Sequence, residues 1–142
     1  MANTISNNIQ MKSNNRITIF WTLVSDGSNE TNTVIYNCST ITSALGIPNN
    51  SKCEVIRVRS MTRLASTATV DLKQDATTPV ELLPVASNAY TDMDFRGNSF
   101  SETSAGGIYW YAGAGSTGNI TITTTNLSSG NVIVLMIDLR PW

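Results

Sequence analysis

The sequence predicts an all-β fold, an antiparallel β-sandwich of about eight strands with jelly-roll connections. Segments of strand length recur about every ten residues, and most of them alternate apolar with polar side chains. Turns rich in Gly, Asn and Ser separate these segments, and helical periodicity is confined to one short stretch. An immunoglobulin-like sandwich is the alternative, although Cys38 and Cys53 lie too close in sequence for its usual bridging pair and no tryptophan lies between them.

The first fifteen residues are rich in Asn and Ser, and their apolar side chains are the isolated Ile5, Ile9 and Met11. Such a segment cannot bury itself locally. We therefore expect a flexible N-terminal arm over residues 1–15, followed by a single β-sandwich domain over residues 16–142. The arm is either a frayed terminus or a segment that docks on a neighbouring subunit, and in the second case the three apolar side chains make the contact.

The next segments predict a hairpin and a short helix. Residues 16–24 (RITIFWTLV) place Ile and Trp side chains on one face, with threonines and Phe20 on the other. Residues 25–32 have turn composition, and the β-branched and aromatic residues of 33–40 complete the hairpin. Residues 42–48 (TSALGIP) combine a cap, two helix formers, a Gly and a Pro, which is typical of about one helical turn.

The middle of the chain predicts three more strands or strand-like segments. Residues 52–64 form a strand with outward arginines, which we expect to be solvated. Residues 67–73 alternate cleanly, and residues 79–85 are bracketed by two prolines, as is typical of an edge strand. Residues 87–104 have a weak pattern and are expected to be a partly extended loop.

The last third of the chain predicts a three-stranded meander at residues 107–112 (GIYWYA), 119–125 (NITITTT) and 131–139 (NVIVLMIDL). The middle strand alternates Ile with Thr, which is the pattern of a strand with one buried face. The last strand is apolar on both faces until Asp138. This indicates either a central position in its sheet or an outer face that a partner covers.

Three consecutive aromatic residues lie in the first strand of this meander. In a strand, Trp110 must point to one face while Tyr109 and Tyr111 point to the other. Packing within the sandwich explains them most simply, but such residues also stack on sugar rings or form the centre of a subunit interface. The predicted interface residues are Ile5, Ile9, Met11, Tyr109, Trp110, Tyr111 and the terminal Trp142.

The composition argues against an enzyme. The chain has no histidine and 13% charged residues, so it lacks the side chain that most often transfers protons or binds metals near neutral pH. Two cysteines without histidine cannot form the usual four-ligand zinc site. The acids that could supply a glycosidase pair are explained more simply as solvated; they are Glu81, Asp92, Asp94 and Glu102. We therefore expect no catalytic residue, no cofactor and no bound metal.

The charge balance also limits the partners. Nine basic and ten acidic residues give a net charge of −1, which provides no bulk attraction to nucleic acid or to an anionic membrane. The longest apolar run, residues 132–137, is too short to cross a bilayer, and the first residues lack a signal-peptide pattern. Neither nucleic acid nor a membrane is an expected partner, and the sequence predicts synthesis in a cytoplasm.

The NITITTT strand, the SSGN turn and the NVIVLMIDLRPW ending resemble the closing hairpin of many phage structural β-domains. Together with the missing histidine, the Ser/Thr/Asn-rich composition and the N-terminal arm, they resemble the decoration (cement) proteins of tailed bacteriophages. More loosely, they resemble the jelly-roll structural proteins of these phages. The motifs cover the last quarter of the chain, and no functional residue can be transferred from the resemblance.

The resemblance implies a non-enzymatic virion structural protein that is made in the host cytoplasm. It would bind the major capsid protein on the outer capsid as a homo-oligomer, often a trimer, and stabilise the shell by bridging capsomers. The alternative is a receptor- or glycan-binding β-module of a phage tail or fibre, for which the aromatic triplet is the candidate site.

Overall fold

The computed structural model describes residues 2–11, 16–48, 53–85, 87–95, 108–110 and 115–141. These residues form ten strands and one helix. In chain order they are β1 (Thr4–Met11), β2 (Ile17–Val24), β3 (Thr33–Tyr36), α1 (Cys38–Leu45), β4 (Cys53–Arg63), β5 (Thr69–Gln74), β6 (Val80–Pro84), β7 (Tyr90–Asp94), β8 (Ile108–Trp110), β9 (Ile120–Thr125) and β10 (Val132–Pro141).

The strands form two sheets that enclose one core. The larger sheet has six strands in the order β1-β2-β10-β4-β7, with β8 also paired to β4, and the smaller has the order β3-β9-β5-β6. All the pairings are antiparallel. The buried side chains alternate along the strands and come from both sheets, so the structure confirms the predicted all-β sandwich. The largest fully buried ones include Trp21, Leu135, Ile122, Leu72 and Tyr36.

The strand order is that of a jelly roll. Four pairs nest inside one another like a long hairpin: β5 with β6, β4 with β7, β3 with β9, and β2 with β10. The pairs β4–β10 and β5–β9 then join neighbouring turns of this hairpin within each sheet. An immunoglobulin sandwich does not have this nesting, so the jelly-roll prediction is confirmed over its alternative.

Strands β7 and β8 share one position at the edge of the larger sheet. Strand β7 pairs with residues 57–61 of β4, and β8 pairs with residues 53–55 in the same direction. They therefore count as one interrupted jelly-roll strand, and β1 is an addition outside the eight jelly-roll positions. The expected loop over residues 87–104 thus contains a strand, β7. Its pattern was weak because most of its side chains are at least partly exposed, so β4 rather than an apolar face determines the pairing.

The N-terminal residues also differ from the expectation of an arm. Strand β1 pairs with all of β2, from Thr4 opposite Val24 to Met11 opposite Ile17. The amide of Asn3 donates to Glu30 Oε1 at 2.7 Å, and that of Asn7 donates to the carbonyl of Ile35 at 3.1 Å. Polar residues can form this strand because its backbone hydrogen bonds come from the open edge of β2 and need no apolar face.

Helix α1 is longer than the predicted single turn. It begins after Asn37, whose side chain accepts a hydrogen bond from Thr40 N, and it ends at Gly46 with φ of 69°. A side-chain acceptor at the first cap and a left-handed glycine at the last are typical helix ends. The predicted glycine stop was correct, whereas the start lies in the segment predicted as strand.

Candidate interaction surface

The outer face of the larger sheet has a continuous band of exposed apolar side chains. We call it the apolar band, and it consists of Phe20 and Val24 of β2, Val132, Val134 and Met136 of β10, Met61 of β4 and Tyr90 of β7. Tyr90 is 65% exposed, Met61 56% and Val24 46%. The three β10 residues are half-buried.

Register explains why these residues meet although they are distant in sequence. Met136 lies opposite Phe20, Val134 lies opposite Met61, and Met61 in turn lies opposite Tyr90. Residues opposite each other in antiparallel strands point to the same face with Cβ atoms about 5 Å apart. The band therefore runs in rows across β2, β10, β4 and β7. A depression of about 210 Å³ lies among these side chains.

Ion pairs flank the apolar band on the same face. Arg57 Nε donates to Asp92 Oδ1 at 2.8 Å, and Arg59 Nη2 lies 3.7 Å from Asp138 Oδ2. Thr18 Oγ1 donates to the other oxygen of Asp138 at 2.7 Å. The hydrogen bond from the guanidinium holds the pKa of Asp92 below its usual value and raises the pKa of Arg57. Arg57 and Arg59 of β4 do point outward, and each is paired with an acid of a neighbouring strand, whereas Arg63 is exposed opposite Val132 of the band.

The structure brings together three of the predicted interface residues. Ile5, Ile9 and Met11 lie opposite Leu23, Ile19 and Ile17, so they share the core-facing side of the larger sheet. Ile9 packs against the core, whereas Ile5 is 40% and Met11 47% exposed. We call these three residues the edge stripe. It is a second apolar surface, separate from the apolar band because it lies on the opposite side of the sheet.

The remaining predicted interface residues are only partly covered. The backbones of Tyr109 and Trp110 form β8, opposite Glu54 and Cys53, but their side chains are outside the described part of the structure. Tyr111 and Trp142 lie outside the described residues altogether. The role predicted for these four aromatic residues therefore stays a prediction.

Sequence patterns predicted part of the apolar band and missed the rest. The two-faced character of β10 and the position of Phe20 among threonines both indicated apolar outward residues. Met61 and Tyr90 were missed because each is a single apolar residue in a polar stretch. Only the pairing of β4 with β10 and β7 shows that they belong to one surface.

The described acids make contacts within the chain. Glu54 is fully buried, with Oε2 3.6 Å from Arg140 Nε. On the outer face of the smaller sheet, a hydrogen bond with Asp71 and the repulsion between the two carboxylates raise the pKa of Glu81. Among the residues that the structure describes, no group of three or more His, Cys, Asp and Glu is placed to hold a metal ion.

No family model matches the sequence, and no curated protein matches it either. Within the described ranges, no helix has the length and apolar character needed to cross a membrane. The two apolar surfaces are the features of the described structure that bear on function.

Proposed function

We propose that the protein is a non-enzymatic virion structural protein, a decoration (cement) protein that binds the outer surface of a capsid. The observation that supports this function best is the apolar band on the outer face of the larger sheet. Contiguous exposed apolar surface on a soluble domain marks a site of interaction with another macromolecule. The partner in this proposal is the major capsid protein.

The composition of the surface favours a protein partner. The centre of the band is aromatic and aliphatic, with Phe20, Met61 and Tyr90, while its flank carries polar side chains that are already paired. An apolar centre within a polar rim is the usual anatomy of a protein–protein interface. Because Arg57 and Arg59 are paired with acids and the net charge is −1, the surface offers little attraction to a polyanion.

Stabilisation of the shell follows from mass action. A protein that binds the assembled shell more tightly than its separate subunits shifts the equilibrium toward the assembled state. A band that extends across four strands can contact two adjoining capsomers at once, so that separating them breaks both contacts. The free energy gained by burying the apolar band on the shell then stabilises the assembled shell, and no chemical step is needed.

The test is co-sedimentation of purified protein with capsid shells that lack it. Val24 and Val34 form a matched pair, because both are exposed strand valines, at 46% and 43%, on opposite outer faces of the sandwich. We expect Val24→Glu to reduce shell occupancy and Val34→Glu to leave it at the wild-type level. Equal binding by the two variants, or no binding by the wild-type protein, would contradict the proposal.

The second candidate function is a receptor- or glycan-binding module of a tail or fibre. It is favoured by Tyr90, whose 65% exposed side chain lies at the margin of the band and could stack on a sugar ring. A glycan array separates the two functions. Glycan binding that is lost in Tyr90→Ala without unfolding would support recognition, whereas a silent array together with shell binding would support the decoration role.

A further inference from the structure

The edges of the two sheets differ in how well they are protected against further pairing. Strand β3 has four residues and a register shift between Val34 and Tyr36. Strand β6 has five residues, ends at Pro84 and also pairs irregularly. Strand β7 has five residues, of which two are the acids Asp92 and Asp94. Short length, bulges, proline and charge are the features by which proteins prevent strands from adding to an edge.

Strand β1 has none of these features. Its eight residues, TISNNIQM, include no charged residue and no proline, and it pairs with β2 without a register shift. Within the described part of the chain, β2 is its one strand neighbour. The other edge of β1 therefore presents a long, regular row of backbone donors and acceptors, which is a template for another strand.

The side chains of β1 show what an added strand has to cover. On the core-facing side, the β2 residues opposite the edge stripe are at most 1% exposed, whereas Ile5 and Met11 are at least 40% exposed. On the other side, Ser6, Asn8 and Gln10 are polar and exposed. An added strand must thus be mostly apolar on the core-facing side and polar on the outer side, as β1 itself is apart from Asn7.

We propose that β1 pairs antiparallel with β1 of a second copy of this chain across a two-fold axis. The two larger sheets then become one continuous sheet. An uncharged strand meets its own copy without like-charge repulsion, and a two-fold interface needs a surface that complements itself. This proposal does not depend on the shell-binding function.

One register matches the whole stripe. With Asn8 opposite Asn8 of the second copy, Ile5 lies opposite Met11 and Asn7 lies opposite Ile9, each twice. Opposite residues point to the same face, so all the apolar side chains of both stripes meet on the core-facing side. Asn8 then lies on the two-fold axis, on the outer face of the sheet.

The experiment measures the mass of the purified protein by light scattering over a range of concentrations. The wild-type protein is expected at twice the 15.3 kDa of the chain. Asn8→Lys places two like charges opposite each other and is expected to give the mass of one chain, as is Asn8→Asp. An equimolar mixture of the two variants is expected to recover the double mass, because lysine then lies opposite aspartate. Thr125→Lys, an exposed strand substitution on the outer face of the smaller sheet, is the control and should keep the wild-type mass.

Three results would overturn the proposal. They are a wild-type protein at the mass of one chain or of three, a wild-type mass in Asn8→Lys, and a mixture of the charge variants that does not associate. Circular dichroism confirms that the variants are folded, and Asn8→Asp, which also places two like charges opposite each other, replaces Asn8→Lys should that variant not fold. The trimer implied by the phage resemblance would be visible directly in the wild-type mass. Shell binding by Val24→Glu is assayed separately, so failure of one proposal does not resemble failure of the other.

Discussion

The outer faces of the two sheets differ sharply, although both belong to one sandwich. The larger sheet presents the apolar band, whereas the outward positions of β9 in the smaller sheet are Thr121, Thr123 and Thr125, of which Thr121 is buried and Thr125 exposed. In register with these threonines lie Lys73 and Asp71 of β5. A strand that faces water on one side has polar residues there. The difference fits the proposal that the larger sheet binds a partner while the smaller sheet faces solvent.

Several threonines on the outer face of the smaller sheet form hydrogen bonds within the chain. Thr123 Oγ1 donates to Asn32 Oδ1 at 3.1 Å and accepts a hydrogen bond from Asn32 N at 3.0 Å. The hydroxyl groups of Thr69 and Thr125 bond to each other across β5 and β9. Thr123, Thr125 and Thr69 are thus satisfied within the chain, whereas the apolar side chains on the outer face of the larger sheet cannot form hydrogen bonds with water.

The largest effect is expected on stability, from comparing a substitution on the inner side of β10 with one on its outer side. Leu135 is fully buried, so Leu135→Ala should lower the free energy of unfolding by about 2–5 kcal/mol. Its neighbour Val134 points to the apolar band, and Val134→Ala should cost about 1 kcal/mol or less. Urea unfolding of both variants measures this. Equal losses would mean that the apolar band is packed like the core.

Replacing apolar residues of the band by threonine gives the outer face of the larger sheet the character of the smaller one, and tests whether the band is the binding surface. Phe20→Thr combined with Met136→Thr replaces two residues that lie opposite each other in the band. We expect shell affinity to fall by about tenfold or more, as for loss of residues at the centre of an interface. Thr125→Ser on the other face is the control and should bind like the wild-type protein. Thermal unfolding checks that the double variant is folded, and undiminished shell binding by it would show that the band is not the contact surface.

Acid should remove the stabilising contribution of the Arg57–Asp92 pair on the outer face of the larger sheet. The pKa of Asp92 is lowered by the hydrogen bond from Arg57, so the unfolded chain takes up a proton at higher pH than the folded chain. The contribution of this pair is therefore present above the ordinary pKa of 3.8 and is lost as the pH falls through the lowered value. We expect the difference in stability between wild type and Asp92→Asn to shrink on acidification, measured by unfolding at a series of pH values. A difference that does not vary with pH would contradict this.

On the outer face of the smaller sheet, acid should have the opposite and smaller effect on stability, through Glu81. The hydrogen bond and repulsion from Asp71 raise the pKa of Glu81, so the folded chain holds this proton more tightly than the unfolded chain. Stability from this group is present below the ordinary pKa of 4.5 and is lost as the pH rises through the raised value. Glu81→Gln should therefore unfold at a higher temperature than wild type at neutral pH. The advantage should decline on acidification, and a variant less stable than wild type at neutral pH would disprove the repulsion.

The strands could be predicted where the pattern of apolar and polar side chains reflects which faces of the strand are buried. The alternation in β2 and β9 predicted the sandwich, and the two apolar faces of β10 fitted a central position, which was one of two alternatives. The predicted hairpin of residues 16–24 with 33–40 and the predicted meander over residues 107–139 were wrong, because successive strands there lie in different sheets. Strands β1 and β7 were missed because their few apolar residues are isolated in polar segments, and pairing with the backbone of a neighbouring strand forms them. Glu54, an acid in a fully buried position, has no local signal either, since its contact with Arg140 depends on the pairing of β4 with β10.

The candidate surfaces could be predicted in part for the same reason. Ile5, Ile9 and Met11 were expected to contact a partner because they are apolar residues in a polar segment, and the structure adds that they share one side of a strand. The apolar band needed the order of four strands, because its residues come from segments far apart in the sequence. Local pattern indicates which residues are unusual, and register determines which of them are neighbours.

The central position of β10 has a consequence for the synthesis of the protein. This strand lies between β2 and β4, and Ile137 pairs with Ile19, so the centre of the larger sheet contains residues that the ribosome makes after the other strands that the structure describes. Until β10 is made, β2 and β4 each have an edge without a partner strand. The larger sheet then lacks its central strand. Folding that waits for such distant pairings is slow. The nascent chain must therefore pass through a period in which Trp21 and Val58 are made but not yet buried.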